Sequence, residues 1–337
     1  MIGEVGPQSR KGMPPELDRN APLFVVLNAS AGRTDVLGTR VLIANELDAS
    51  GREHHIEVIG RGRLIADGAR RAVTQAMAQG GVVVAAGGDG TINAVAQAAH
   101  DADCPMGVLP QGTFNYFGRT HGIPTETTEA TRALLHSRIE PVQVGLVNES
   151  VFLVNASLGL YPAMLEDREQ FKERFGRHRL VALIAALATI LRQHRQLRLR
   201  IESGGVVRTV RTPTLFVGNN RLQLEEVGIS EAPALDHGRV AAVMLKPVGT
   251  WTMLQLLMRG ALGTLGDADG VETFQCQRMS VTPALPYGRR GTKVATDGEV
   301  RWMRAPLEFH VSPKPLYLLK PLGQNAMSAT DQIGVRG

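Results

Sequence analysis

The residues best suited to chemistry are Gly87-Gly88-Asp89-Gly90-Thr91-Ile92-Asn93, set between an apolar run and an amphipathic one. Before them, Val82-Val83-Val84-Ala85-Ala86 is short and largely β-branched, as a buried strand would be. After them, Ile92, Val95, Ala96 and Ala99 recur at helical spacing. A strand feeding a glycine loop that opens a helix suits a phosphate. The glycines let backbone N–H groups approach the anion, and the helix start supplies unpaired donors and a positive dipole end. Asp89 is the odd element, because a carboxylate repels a phosphate. It makes sense beside a metal ion, as a proton acceptor, or on a sugar hydroxyl. By themselves the same residues also describe a tight turn whose Asp or Thr caps a helix.

Two further loops have the same character: Asn28-Ala29-Ser30-Ala31-Gly32-Arg33 and Gln111-Gly112-Thr113-Phe114-Asn115. The first follows an apolar strand, Leu23 to Leu27, and precedes a helix from Thr34 or Asp35 to about Ala49. The second follows Met106 to Leu109. A strand at His55 to Ile59 and a helix at Ala66 to Gln79 complete the alternation. That rhythm predicts an α/β fold with a doubly wound parallel sheet, whose ligands sit outside the carboxyl ends of the strands. All three loops fall on that rim.

From about Pro141 the texture becomes mainly β, as in a sandwich or open barrel. A hairpin is expected from Val142–Val147 to Val151–Val154, and a second from Leu197–Glu202 to Val206–Arg211, with its arginines on one wet face. Further strands fit Thr214–Val217, Arg239–Leu245, Gln275–Val281, Lys293–Thr296 and Leu307–Val311. Helices fit Arg179 to Arg195 and Trp251 to Leu265. The expected organisation is a disordered lead-in at 1–20, an α/β nucleotide domain at 21–141, a β-sandwich domain at 142–321 and a disordered tail at 322–337.

The 337 residues carry a formal net charge of +5, with 43% apolar and 20% charged residues, ordinary values for a globular protein. Two cysteines, Cys104 and Cys276, form no pattern, which points to reduced thiols and a cytoplasmic setting. Residues 1–20 lack the apolar core of a signal peptide, and the run Leu180 to Leu191 is too short to span a bilayer. Ten Lys/Arg against two Glu between Phe171 and Arg211 give that segment a charge of +8. Such a patch reads either as a solvated face or as peripheral contact with an anionic membrane. Aromatics do not interleave with it, which speaks against nucleic acid.

Walker, dinucleotide-fingerprint, zinc-site and nucleophile-elbow motifs are all missing from the sequence. What remains is a triphosphate site of small-residue loops, where phosphoryl transfer needs positioning, charge neutralisation and a carboxylate for the acceptor hydroxyl. Asp89 is one such carboxylate, and Thr296-Asp297-Gly298-Glu299 holds two more on a turn. Taken alone, that turn is also a plain hairpin.

The set Asn28-Ala29-Ser30-Ala31-Gly32, Gly87 to Asn93, Gly112-Thr113-Phe114-Asn115 and Asp297-Gly298-Glu299 resembles, in order and spacing, the diacylglycerol kinase catalytic-domain family, which includes sphingosine kinases and bacterial lipid kinases. The resemblance runs from about Leu23 to Pro321 and includes Val154 to Leu160. It implies ATP and Mg²⁺ as cofactors and a diacylglycerol-like or sphingoid lipid as substrate. By the same resemblance, Asn28, Ser30 and Gly32 contact phosphates. Gly87, Gly88, Asp89, Gly90, Thr91, Ile92 and Asn93 wrap the nucleotide, and Gly112, Thr113, Asn115 and Asp297 complete its site. Asp89 lies by the nucleotide-bound metal, and either Glu299 or Asp89 is the general base. The chain departs from the family's pattern at Gly60, Tyr116, Gly118 and His237. The change at His237 bears on Asp236, the position matching a structural Mg²⁺ ligand. A kinase for a soluble acceptor such as NAD, or a nucleotide- or lipid-binding regulator without catalysis, also fits, and a homodimer is compatible with the sequence.

Overall fold

The computed structural model describes residues 18, 20–29, 35–60, 63–160, 162, 196–266, 268–284 and 291–322. The expected lead-in (apart from residues 18 and 20), the tail beyond 322, Ser30, Gly32 and the helix at Arg179 to Arg195 lie outside them.

The first unit alternates as its sequence rhythm requires: β1 (Leu23–Asn28), α1 (Val36–Ala49), β2 (His54–Ile59), α2 (Arg63–Ala78), β3 (Val82–Gly87), α3 (Asp89–Asp101) and β4 (Met106–Pro110). A short helix α4 (Tyr116–Thr120), then α5 (Thr127–Leu135) and β5 (Ser137–Val142), follow. Every residue of β3 and β4 is buried, which is why their sequences are unbroken apolar runs rather than alternating ones. Asp35 starts α1, accepting a hydrogen bond from Gly38 N at 2.7 Å.

The sheet order is β2-β1-β3-β4-β18-β5, where β18 is Leu316–Pro321, and the pairs among β1 to β4 are parallel. The chain steps from β1 outward to β2, then back past β1 to β3. Strand order therefore reverses between β1 and β3, where a crevice opens at the carboxyl ends. Helices α2 and α3 pack on each other and on β3, while α1 packs on α5, so both faces are covered.

The second unit has two six-stranded antiparallel sheets. One has the order β10-β9-β14-β17-β6-β7, from β6 (Gly145–Val147), β7 (Ser150–Phe152), β9 (Leu197–Ser203), β10 (Val206–Thr212), β14 (Arg278–Pro283) and β17 (Leu307–Val311). The other has the order β13-β12-β11-β8-β15-β16, from β8 (Asn155–Gly159), β11 (Thr214–Gly218), β12 (Val240–Leu245), β13 (Val271–Cys276), β15 (Gly291–Thr296) and β16 (Glu299–Arg304). Phe152, Leu199, Ile201 and Phe309 from the first meet Leu158, Leu215, Val217 and Val294 from the second in one core. That is a sandwich.

Four expectations change. Residues Gln275–Val281 are two strands: β13 pairs with β12 in one sheet and β14 with β9 in the other, so the chain turns the sandwich corner at Gln277. The terminal strand β18 (Leu316–Pro321) leaves the sandwich and lies between β4 and β5. There Leu316 and Leu318 fill the first core, so the α/β unit is closed by the end of the chain and the limit expected at 321 does not hold. The first expected hairpin shrinks to β6 and β7, because β5 up to Val142 pairs with β18 instead. The second hairpin forms as expected, but only Arg198, Arg200 and Arg211 share its wet face. Arg208 points the other way, pairing with Glu272 and lying 4.2 Å above the Phe274 ring.

Candidate active site

The three described loop segments meet at the strand-order reversal. Asn28 closes β1, and its Nδ2 donates to Thr91 Oγ1 at 2.8 Å, tying the first loop to the start of α3. Gly88 precedes α3 and gives it no side-chain cap, so the first-turn N–H groups are not met by a capping side chain. The third loop crosses directly over the second. A Cβ on Gly112 would sit 2.8 Å from Gly88 Cα, so this close approach of the two backbones requires glycine at 112. Asn115 makes this possible from a left-handed conformation, φ 51°. Its Oδ1 accepts from Gly112 N and its Nδ2 donates to Gly112 O, both at 2.9 Å.

Asp89 sits where these loops converge. Its Oδ2 accepts from Asn115 N at 3.2 Å, while its Oδ1 is buried with no hydrogen-bond partner in the protein. Burial pushes its carboxyl above the ordinary range, opposed by backbone N–H groups of Phe117, Asn115 and Tyr116. An orphaned carboxylate oxygen in a crevice of N–H donors suits a cation delivered with a phosphate chain.

The fourth segment comes from the far end of the sequence. Residues β15 and β16 form a hairpin whose two-residue turn, Asp297-Gly298, has φ of 48° and 90°. Both are positive, as a type I′ turn demands, and Asp-Gly is a favoured pair for it. The Asp297 carboxylate is not turned to the crevice. Its Oδ2 accepts from Asn93 Nδ2 and Leu153 N, both at 2.7 Å, and its Oδ1 from Val154 N and Asn155 N, both at 2.9 Å. Expected as a nucleotide contact, it is a buried clasp joining α3, the β7–β8 connection and the hairpin. Burial raises it to about 6 in spite of those four donors. The clasp sets Glu299 in place: its Oε1 lies 3.3 Å from where a Gly90 Cβ would be. Asp89 and Glu299 thus flank the start of α3.

Other expected site residues divide by burial. Ile92 and Asn93 face the interior, Thr91 is held by Asn28, and Thr113 is exposed. Asp236 is paired with Arg221 at 2.7 Å, and no group of three His, Cys, Asp or Glu able to hold a metal occurs among the described residues. Tyr116 stacks against Phe114, ring centroids 5.7 Å apart, and the Arg119 guanidinium lies over the Tyr116 ring, 5.8 Å from its centroid. Sequence reasoning missed the three backbone donors at 153–155, Arg301 on Glu299, and Arg119–Glu226, an ion pair at 3.0 Å between the two units. The first and last of these join distant segments and leave no local pattern, whereas the i, i+2 spacing on one strand is the signal that could have shown Arg301 beside Glu299.

The model of the diacylglycerol kinase catalytic domain matches residues 22–147. A Pseudomonas aeruginosa protein named "Probable lipid kinase YegS-like" is 30% identical over 317 residues, 91% of this chain and 96% of that one. A Cronobacter sakazakii protein of the same name is 30% identical over 167 residues, 48% and 54% of the two chains. The solved structure of a diacylglycerol kinase from Bacillus anthracis superposes with a TM-score of 0.66 at 19% identity, covering 89% of this chain and 97% of that one. At that identity the likeness speaks for the fold. No described helix is long and apolar enough to cross a membrane.

Proposed function

Because the chain belongs to the diacylglycerol kinase catalytic-domain family, we propose that it transfers the γ-phosphate of ATP to a hydroxyl of a diacylglycerol-like or sphingoid lipid. The observation that carries this reading is the approach of Glu299 to Gly90, which sets a second carboxylate beside Asp89 at the mouth of a phosphate-suited crevice. Glycines 87, 88, 90 and 112 admit the phosphate chain, and the start of α3 directs N–H groups and its dipole at it. Glu299, exposed and on the open side, takes the proton of the acceptor hydroxyl. Asp89 Oδ1, buried and unpartnered, fits Mg²⁺. With no cage of protein ligands among the described residues, that ion would arrive on the nucleotide. When bound, it supplies neutralisation of phosphate charge.

The lipid reading also implies a surface that meets the bilayer. Arg198 lies directly opposite Arg211 on the wet face of β9 and β10, with Arg200 two residues along. Like charges so placed repel unless an anion lies between them. We assign this face to contact with anionic lipid headgroups, together with the basic residues 172–195 that lie outside the described segments.

The test is a radiolabelled-ATP assay over a lipid extract, with mass spectrometry of the labelled product. A phosphorylated lipid bearing a free hydroxyl in its precursor is expected. Label on NAD and on no lipid would transfer the assignment to a soluble acceptor. ATP binding without any product would make the protein a regulator.

A further inference from the structure

We propose that Arg301 is a catalytic residue of this reaction, standing on Glu299 before transfer and donating to the phosphoryl group as it passes to the acceptor. The inference rests on the lipid-kinase reading and deepens it by placing a positive charge beside Glu299. The transferred group spreads negative charge over three oxygens, and cationic side chains that meet it are a recurring part of such sites. Here the described loop residues, 28–29, 87–93 and 111–115, include no Lys or Arg, while Arg33, at the end of the first loop, lies outside the described residues. Arg119, just beyond, is already paired with Glu226.

Arg301 is placed to fill that gap. Side chains two apart on a strand share a face, so Glu299 and Arg301 project together from β16. Arg301 Nη2 donates to Glu299 Oε2 at 2.9 Å, while the other oxygen of the same carboxylate faces Gly90. The guanidinium is therefore one carboxylate away from the start of α3. Its side chain keeps 43% of its surface exposed, so a phosphate oxygen can reach its remaining donors. As a stabilising contact the pair would do little, since water and salt screen exposed ion pairs and holding both side chains costs entropy.

The transfer balances as follows. The acceptor O–H gives its proton to Glu299, and the freed oxygen pair forms a bond to the γ-phosphorus. The bond from that phosphorus to the β,γ-bridging oxygen breaks, and its electrons leave with ADP. Protonation removes the charge on Glu299 that held Arg301, just as charge on the moving phosphoryl group calls for it.

Arg301→Ala and Arg301→Gln are compared with the full-length wild type on the lipid found in the panel, with circular dichroism and melting temperature as checks on folding. We expect kcat to fall by about 10²-fold or more, KM for ATP to stay within a few-fold, and Arg301→Lys to recover part of the loss. A second arm needs no acceptor: calorimetry of ADP with and without fluoroaluminate, a mimic of the phosphoryl group. Wild type should gain affinity from fluoroaluminate, and both neutral variants should lose that gain while binding ADP normally. Variants that keep kcat within threefold, or that retain the fluoroaluminate gain, would overturn the role of Arg301. A rise confined to KM for lipid would make it a substrate contact instead. Wild type inactive on every lipid would sink the lipid reading, with the fluoroaluminate arm still deciding on Arg301.

Discussion

Asn93 on α3 donates to Asp297 Oδ2 at 2.7 Å, a bond that spans 204 residues of sequence and fastens the hairpin carrying Glu299 to the helix that follows Asp89. The same Asn93 amide also reaches Val151 O at 2.9 Å, so one side chain holds both parts of the second unit. Replacing Asp297 with Ala would strand four buried donors, an expected loss of roughly 3–5 kcal/mol. Asn93→Ala leaves Asp297 its three backbone donors and should cost less, about 1–3 kcal/mol. Urea unfolding checks both, and equal losses would contradict the unequal number of stranded groups.

Asp297 also makes a pH signature that runs against the usual carboxylate. Its folded-state pKa is raised from 3.8 to about 6 by burial, so between these values the folded chain holds a proton that the unfolded chain has released. Its contribution to stability is therefore full below about pH 4 and lost as pH rises through 6. A shift of about two units corresponds to about 3 kcal/mol. The stability difference between wild type and Asp297→Asn should fall by that order from pH 4 to 7. A flat difference across the range would show that the four donors cancel the effect of burial, and a rising one that they outweigh it.

Asp89→Asn and Glu299→Gln are each expected to lower turnover by about 10²–10⁴-fold, the range for removing a positioned acid–base group. Both substitutions are nearly isosteric, so melting temperatures should hold. Steady-state kinetics on the identified lipid decide it. Normal rates in either variant would remove that carboxylate from the reaction.

Gly112→Ala tests the crossing of the loops. Its new Cβ would meet Gly88 Cα and Asn115 Oδ1, each at 2.8 Å, and the first of these is backbone. The second and third loops must then separate. A tenfold or greater loss of ATP affinity by calorimetry is expected, with an overpacking cost of about 1–3 kcal/mol in stability. Unchanged affinity would place the nucleotide elsewhere.

Neutralising Arg198 and Arg200 to Gln should weaken sedimentation with anionic vesicles, and the wild-type excess should vanish as salt shortens the screening length. Neutral vesicles should not distinguish the proteins. Equal binding to anionic vesicles at low salt would free this face of its assignment.

By itself the sequence determined the alternating α/β unit, the mainly-β second half and the glycine loops, because each is written in short-range signals. Apolar periodicity distinguishes α3 from β3, and Asp297-Gly298 announces its turn from the φ values that only such residues adopt readily. Tertiary structure decided what those signals leave open. The return of β18 to lie beside β4, the corner at Gln277 and the clasp of Asp297 on Asn93 each depend on segments far apart in the chain. Neither Leu316 nor Asp297 carries any local mark of its partner, since burial energy depends on which surfaces meet and hydrogen bonds form wherever folding brings donors to acceptors. For that reason Asp297 was legible as a site residue while its work, holding Glu299 in place, was not.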